Sequence, residues 1–598
     1  MGPGARVAPG AGREGAMQTG TATIGPRLGD RAVPQTPICP DPRQIDALGA
    51  SLCARETLLP LGLAGAVTPV AMSDRRRFRR LRPTLESVLG PVVAVPVGAG
   101  AIHAALDRHR ARALTAAAET RCPAGMSLRS LRPRRWRHAA LLGVLVAALA
   151  MPMLALWLAL AVTAINAALT LAALVVAALA PRAPASRTGP ERPTLLPRIS
   201  VIVPLLGEAP VLAALIARLD RLDYPRDRLD IVLAVERDDA ATARALATVA
   251  LPPWMRVVAA LPGRVRTKPR ALNLALDRCR GTIVGIYDAE DAPEPDQLLR
   301  VADAFARASP RTACLQGRLN FYNARANWIT RCFAIEYAVW FTLILPALSR
   351  LGWPVPLGGT SVFFRRDALE AVGGWDAHNV TEDADLGMRL ARAGYRTGLL
   401  DSTTWEEATA SPGTWMRQRS RWQKGYAATW ACHMRAPARL RAEIGIRGFV
   451  GMQILFLGSL GGCLVAPVLW SFWAVPLGLP HPLADTLSRP AMLTVAWGLA
   501  GVAVLNGGAS ALALCRLGRP GLIPWIPLRQ LYYPLASLSL LKASAELFRA
   551  PFYWDKTAHG VTRPDTAAAP DTAPAPDPVP SPGQTAGSRS ESLRSRAS

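Results

Sequence analysis

No CxxC pair occurs among the nine cysteines of this 598-residue chain, and they show no ligand-like clustering with the seven histidines. That absence argues against a structural zinc site or a disulfide framework and fits thiols kept reduced. Acidic residues are scarce beside basic ones, 43 against 69, for a formal charge of +26. No motif that interleaves aromatic and basic residues accompanies the charge, so nucleic acid is not expected as a partner. The first residues, MGPGARVAPGAGREGAM, lack an apolar core and do not read as a signal peptide. Pro-, Ala- and Ser-rich residues 562–598 read as a disordered tail, and residues 1–40 as a disordered N-terminus.

What the chain has in quantity is apolar sequence. From Ala139 to Ala180 there is no charged residue. One helix of that length would measure about 63 Å, roughly twice a bilayer's hydrocarbon thickness. A helical hairpin over 138–181 fits better, since arginines flank the run on both sides and the positive-inside rule then wants an even number of crossings. Gly448–Leu479 and Met492–Leu514 read as further spans. Leu522–Leu547, broken by prolines and charges, is open between spanning, re-entering and lying along the interface. The positive charge therefore suits a membrane surface, with lipids as partners.

Between the membrane blocks, residues 193–445 alternate strand-like and helix-like stretches. Ile199–Leu205, Asp230–Val235, Arg256–Ala260 and Thr282–Tyr287 read as strands. Ala209–Leu222, Asp238–Val249 and Lys268–Cys279 read as the helices between them. The expected fold class is α/β, a mostly parallel Rossmann-like sheet covered by helices, with transmembrane helices on either side. Ligands of such sheets bind beyond the C-terminal ends of the strands. At one such end stands DAEDAPEPD, in which five of nine residues, Asp288 to Asp296, are acids. This cluster is either a solvated loop leading into a helix or a metal site handling phosphate.

The motifs VERDD, KPRALN, IYDAEDAPEPDQL, GGTSVFFRR, TEDADLGMRLARAGYR and QRSRW follow in this order over residues 199–422. The stretch resembles the processive-type family 2 glycosyltransferases, the superfamily of cellulose, chitin and hyaluronan synthases. Within it, the chain is most similar to bacterial membrane glycosyltransferases related to bacteriophage adsorption protein B. The resemblance implies a GT-A-like fold and a hexosyltransferase of the inner bacterial membrane with its catalytic domain in the cytoplasm. Such an enzyme passes sugar, with inversion, from a nucleotide-diphosphate donor such as a UDP-sugar to a growing glycan. Transfer of one sugar to a lipid-linked acceptor, and a non-catalytic envelope scaffold, are the competing readings. Export subunits are implied for a secreted product.

Residue by residue, the resemblance implies Asp383 of TED as general base, beside Glu382. Glu236 and Asp238 of VERDD, Lys268 and Asn273 of KPRALN, and Gln418, Arg421 and Trp422 of QxxRW would bind donor and acceptor. Mg2+ or Mn2+ would sit on the acidic cluster, where Asp288-Ala289-Glu290-Asp291 offers DxE in place of DxD. Asp288 takes the first position, and Glu290 and Asp291 compete for the second. Glu294 and Asp296 read instead as the start of a helix over Pro295–Arg307. Gly358-Gly359-Thr360-Ser361 would give the acceptor room. FYWDKTAHG, with Phe552, Trp554, Lys556 and Thr557, resembles a gating loop over residues 550–561. Residues 41–125 read as a small α+β domain, similar to the N-terminal domain of type II secretion ATPases, which implies cyclic di-GMP as a partner.

Overall fold

The computed structural model describes residues 39–62, 66–130, 151–179 and 195–550. The expected gating loop, the tail and the first half of the hairpin lie outside these residues, as does most of the N-terminal stretch.

The N-terminal unit is a three-stranded sheet ordered β1 (Leu58–Pro60), β2 (Thr68–Met72), β3 (Val92–Pro96), with β2 and β3 parallel. Helices Pro42–Leu48 and Arg75–Leu89 start on Asp41 and Asp74, each accepting two backbone N–H groups of the first turn. The core of this unit does not close on itself. Leu106, Leu114 and Ala118 pack in one cluster with Ala260, Leu261, Ala271 and Leu274 of the next unit.

That next unit is an eight-stranded sheet in the order β6 (Met255–Ala260), β5 (Leu229–Glu236), β4 (Ile199–Leu205), β7 (Ile283–Ile286), β10 (Val362–Arg365), β9 (Thr312–Phe321), β11 (Arg396–Glu406), β8 (Ala292–Pro293). The pairs β4–β5, β5–β6, β4–β7 and β9–β11 are parallel. β10 runs antiparallel to both neighbours, which makes the sheet mixed. β5 is buried at all eight positions, as a parallel strand covered on both faces must be. The expected helices are present but shorter: Leu212–Asp220, Ala240–Ala247 and Lys268–Leu276.

Among the described residues, four helices are long and apolar enough to cross a membrane: Pro152–Leu179, Trp328–Arg350, Pro437–Ala474 and Arg489–Arg516. The second was not singled out in the sequence. It is also the most enclosed, with 61% of its apolar window buried against 11% for Pro152–Leu179. Polar side chains join the others: Asn166 donates to the Gly458 carbonyl and Thr170 to Asn506 Oδ1. Pro437–Ser471 bends at Gly445, whose φ is +69°. The ambiguous Leu522–Leu547 segment divides into a 3-10 stretch, Pro520–Leu528, and a helix, Arg529–Arg549. The latter lies along the helix Pro412–His433, with Lys424 paired to Glu546 and Trp415 donating to the Tyr532 hydroxyl. Trp415 is thus a buried packing residue.

Candidate active site

The C-terminal ends of β4, β5 and β7, together with the starts of two helices, surround a cleft of about 1320 Å³ including its open mouth. Glu236, Lys268, Asp288, Glu290, Glu382, Asp383, Gln418, Arg421 and Trp422 all line it. Residues up to 186 positions apart thus meet in one place, because parallel strands deliver their C-terminal loops to the same edge of the sheet.

Lys268 begins its helix and donates to Asp288 Oδ1 at 2.5 Å and to the Gly359 carbonyl at 3.0 Å. Burial alone would lower its pKa, but the Asp288, Glu382 and Asp383 carboxylates reverse the sign and hold the ammonium charged well above the usual lysine range. Two of the acidic-cluster candidates separate cleanly. Glu290 faces the cleft, whereas Asp291 is fully buried beneath it. Asp291 Oδ2 accepts the Asp288 N–H at 2.8 Å and the Thr360 hydroxyl, bracing the turn that presents Asp288. Burial, then the Asp288 and Glu290 charges, raise its pKa well above the carboxylate range.

Glu294 and Asp296 behave as the start of a helix, which begins at Gln297, but neither caps it through its side chain. Asp296 pairs with Arg300, and Glu294 accepts from Ser402.

Glu382 and Asp383 open the helix Glu382–Arg392. Burial and the Asp383 charge push the Glu382 carboxyl up to about 7, against the pull of Lys268. Burial also raises Asp383, partly offset by the Ala384 N–H donated to its Oδ1 at 2.7 Å. Asp383 Oδ2 sits where a Cβ on Gly359 would come within 2.8 Å, and Gly359 has φ +83°. Only glycine fits both the turn and the carboxylate.

The TED and QxxRW segments are fastened to each other. Gly425 lets Thr381 close on the Pro412–His433 helix, where any Cβ would lie 2.3 Å from the Thr381 hydroxyl. Asn379 donates to the Thr429 hydroxyl at 2.9 Å, and Asp385 accepts from Arg389 at 2.7 Å beside His433 at 3.1 Å. Between these two segments Arg421 exerts its charge on Glu382 and Asp383.

Two candidates are placed elsewhere. Asn273 is fully buried and donates to the carbonyls of Ala118 and Trp375, on the side of its helix away from the cleft. Five residues beyond Lys268 in a helix is more than one turn, so the two side chains diverge. Asp238 is half exposed and pairs with Arg266, whereas Glu236 two residues earlier lines the cleft and is held by Arg270.

The sequence reading missed several lining residues. Glu406 and Glu407 close β11 in STTWEE, the same acid-at-strand-end signal as VERDD. Burial, then Asp291, Glu290 and Asp288, raise Glu406 well above the carboxylate range. Phe321, Phe333 and Tyr337 form an aromatic wall with Trp422, their rings 6.1 and 6.4 Å from it for Phe333 and Tyr337. Phe333 and Tyr337 come from the apolar helix whose burial was not anticipated. Arg419, between the QxxRW positions, stacks on Phe333 and Trp422 and is paired with Glu336.

Among the described residues, no three Asp, Glu, His or Cys side chains converge tightly enough to ligate a metal by themselves. Asp288 and Glu290 nonetheless offer hard oxygen donors on one wall. A divalent cation such as Mg2+ suits that set if a bound diphosphate supplies the remaining ligands.

A profile of the family described as "Glycosyltransferase like family 2" matches residues 197–425. The chain is 31% identical over 351 residues to the β-monoglucosyldiacylglycerol synthase of Synechocystis sp., a match covering 56% of this chain and 70% of that protein. It is 27% identical to a probable glucomannan 4-β-mannosyltransferase of Arabidopsis thaliana, over 39% of this chain and 44% of that one. Against several other curated relatives it spans about half their length. The mannosyltransferase PcManGT of Pyrobaculum calidifontis, solved with GDP-Man and Mn2+, aligns over 63% of this chain and 99% of its own at 22% identity, with a TM-score of 0.39.

Proposed function

The chain belongs to the family 2 glycosyltransferases, and we propose that it moves a sugar from a nucleotide-diphosphate donor onto a membrane-borne acceptor, with inversion, at the cytoplasmic face of the inner membrane. The observation that carries this reading is the meeting of Lys268, Asp288, Asp383 and Arg421 in one cleft whose far wall is aromatic.

Asp383 is the general base. It takes the proton of the acceptor hydroxyl as that oxygen attacks the anomeric carbon and the bond to the diphosphate breaks on the opposite face. Lys268 and Arg421 meet the negative charge gathering on the leaving diphosphate. Asp288 and Glu290 are the residues that would hold Mg2+ or Mn2+, which when bound offsets the diphosphate charge. Glu236, at the end of β5, faces the nucleoside. Glu382 shares the buried edge of the cleft with Asp383 and, through Lys268, tunes its charge.

The aromatic wall of Phe321, Phe333, Tyr337 and Trp422 belongs to the same packed cluster as Ala173 and Ala177 of the Pro152–Leu179 helix and Phe456 of the Pro437–Ser471 helix. An acceptor entering along it would arrive from the bilayer side. This favours a lipid hydroxyl as acceptor, in keeping with the name of the Synechocystis relative. Extension of a glycan, as in the processive synthases and the proteins related to bacteriophage adsorption protein B, is the second reading. QxxRW beside TED favours it, and so does the glucomannan-synthesising relative.

Membranes containing the protein, given radiolabelled nucleotide sugars with Mn2+ or Mg2+, should place label in an organic-extractable lipid. Label in a large water-soluble product would favour the glycan instead. No transfer from any donor of a broad panel, or transfer undiminished by Asp383→Asn, would overturn the proposal.

A further inference from the structure

The N-terminal unit is built into the wall of the cleft through the seven-residue connection 261–267, which joins β6 to the helix carrying Lys268. Glu119, at the end of the helix Ala111–Thr120, is 5% exposed. Its Oε1 accepts the Arg264 N–H at 2.6 Å and the Val265 N–H at 3.1 Å. Gly263 leaves the space: a Cβ there would lie 2.3 Å from that same oxygen. The two donors are only part-buried, yet both take the same oxygen, supplied by a residue about 145 positions earlier.

The same connection is held further along. The Thr267 hydroxyl donates to the Ala377 carbonyl at 2.7 Å, and the Leu261 carbonyl accepts from Arg270, which also pairs with Glu236 in the cleft. The Lys268–Leu276 helix is gripped from behind by Asn273 on the Ala118 carbonyl and by Asp277 on Arg121 at 2.6 Å. Its outer face, Ala271 and Leu274, completes the N-terminal core, while Leu272, Ala275 and Leu276 pack toward the sheet.

Resting on the transferase reading above, we infer that Glu119 is a positioning residue for the donor site. Through two backbone N–H groups it sets the path of residues 261–267, and so the point from which Lys268 and the Arg270–Glu236 pair address the donor. A role confined to gluing two units together would not require its carboxylate on this connection. The Arg121–Asp277 and Ser127–Asp376 contacts and the shared apolar core already serve that purpose.

The test uses the full chain in detergent or nanodiscs. Glu119→Ala removes the one oxygen that accepts both N–H groups, whereas Glu119→Gln keeps a carbonyl oxygen for the same two donors. Hydrogen exchange across 261–267 should rise in Glu119→Ala and stay near wild type in Glu119→Gln. The affinity for UDP with Mn2+, measured by calorimetry, and the donor KM should both weaken about tenfold in Glu119→Ala while kcat changes by less than about threefold. Gly263→Ala, which displaces the carboxylate from the other side, should repeat the pattern. Unchanged exchange in Glu119→Ala would overturn the inference, as would raised exchange with unchanged UDP affinity, or equal losses in Glu119→Gln and Glu119→Ala. Because UDP binding does not require turnover, wild-type protein that binds UDP but transfers no sugar would defeat the transferase reading and leave this one standing.

Discussion

Lys268 Nζ lies 2.5 Å from Asp288 Oδ1, so the cleft's chief cation and its foremost acid neutralise each other until a ligand separates them. On the proposed reading a donor diphosphate would take the lysine while a cation took the aspartate, and the ion pair would then act as a latch between the two binding events. Lys268→Met keeps the length and removes the charge. The expected result is a loss of about 10²-fold in kcat/KM, the scale of removing one group that stabilises developing negative charge. A change below threefold would leave the latch without a role.

Asp383→Asn preserves shape and removes the proposed base. Its kcat should fall about 10³-fold, within the usual contribution of a positioned base, with donor affinity near wild type. Calorimetric binding of the donor beside single-turnover transfer separates the two effects.

The pH profile follows from the raised carboxyls. A base acts when ionised, and burial raises both Glu382, to about 7, and its neighbour Asp383. Activity should therefore begin to decline, as pH falls, while the pH is still above the range of ordinary carboxylates. Lys268, held charged above the lysine range, places no limit on the alkaline side below that range. Sign matters for stability as well. An acid with a raised folded-state pKa favours the folded protein at low pH, and that contribution is lost as pH rises through the folded value. The fall in activity on the acid side should thus appear without unfolding, which thermal melts at each pH would check. Full activity down to the ordinary carboxylate range would contradict the assignment.

Glu290 and Asp291 should part company under mutation. Glu290→Gln should raise the concentration of Mn2+ or Mg2+ needed for half-maximal activity by about tenfold or more. Asp291→Ala should instead cost stability, about 1–3 kcal/mol, because the Asp288 N–H and the Thr360 hydroxyl lose their buried acceptor. Metal titrations and denaturant melts on both variants would read this directly. The reverse pattern would make Asp291 the ligand.

Gly359→Ala combines a positive φ with a collision at the base. The backbone term alone costs about 1–2 kcal/mol, and the new methyl would push on Asp383 Oδ2. Activity should fall further than the stability loss explains, by about tenfold or more. Equal activity at a lowered melting temperature would show that Asp383 tolerates the shift.

Strands β4 to β7 were legible because they are largely apolar runs, whereas β9 and β11, longer and more mixed, were not read as strands. VERDD and DAED stood out because they follow such runs directly, and TED because its acids open a helix. The place of β10 was not legible. Its Val362–Arg365 run is as apolar as a parallel strand, and only its partners β7 and β9 fix its direction. Asn273 misled because KPRALN reads as one motif, although a helix turns its residues to different sides. Glu406 carried a usable signal that went unread.

By itself, the sequence determined the family, the α/β alternation, most of the long apolar helices and the set of acids and bases from which the proposed chemistry is drawn. All of these depend on neighbours in the chain, on periodicity and on side-chain type. Tertiary structure decided which members of that set share a cleft. It sent Asp291 beneath the floor and Asn273 to the back, brought Phe333 and Tyr337 to Trp422, and set Glu119 against the connection leading to Lys268. Those outcomes depend on burial and on contacts between segments from 69 to 155 residues apart, for which nearest-neighbour pattern carries no information.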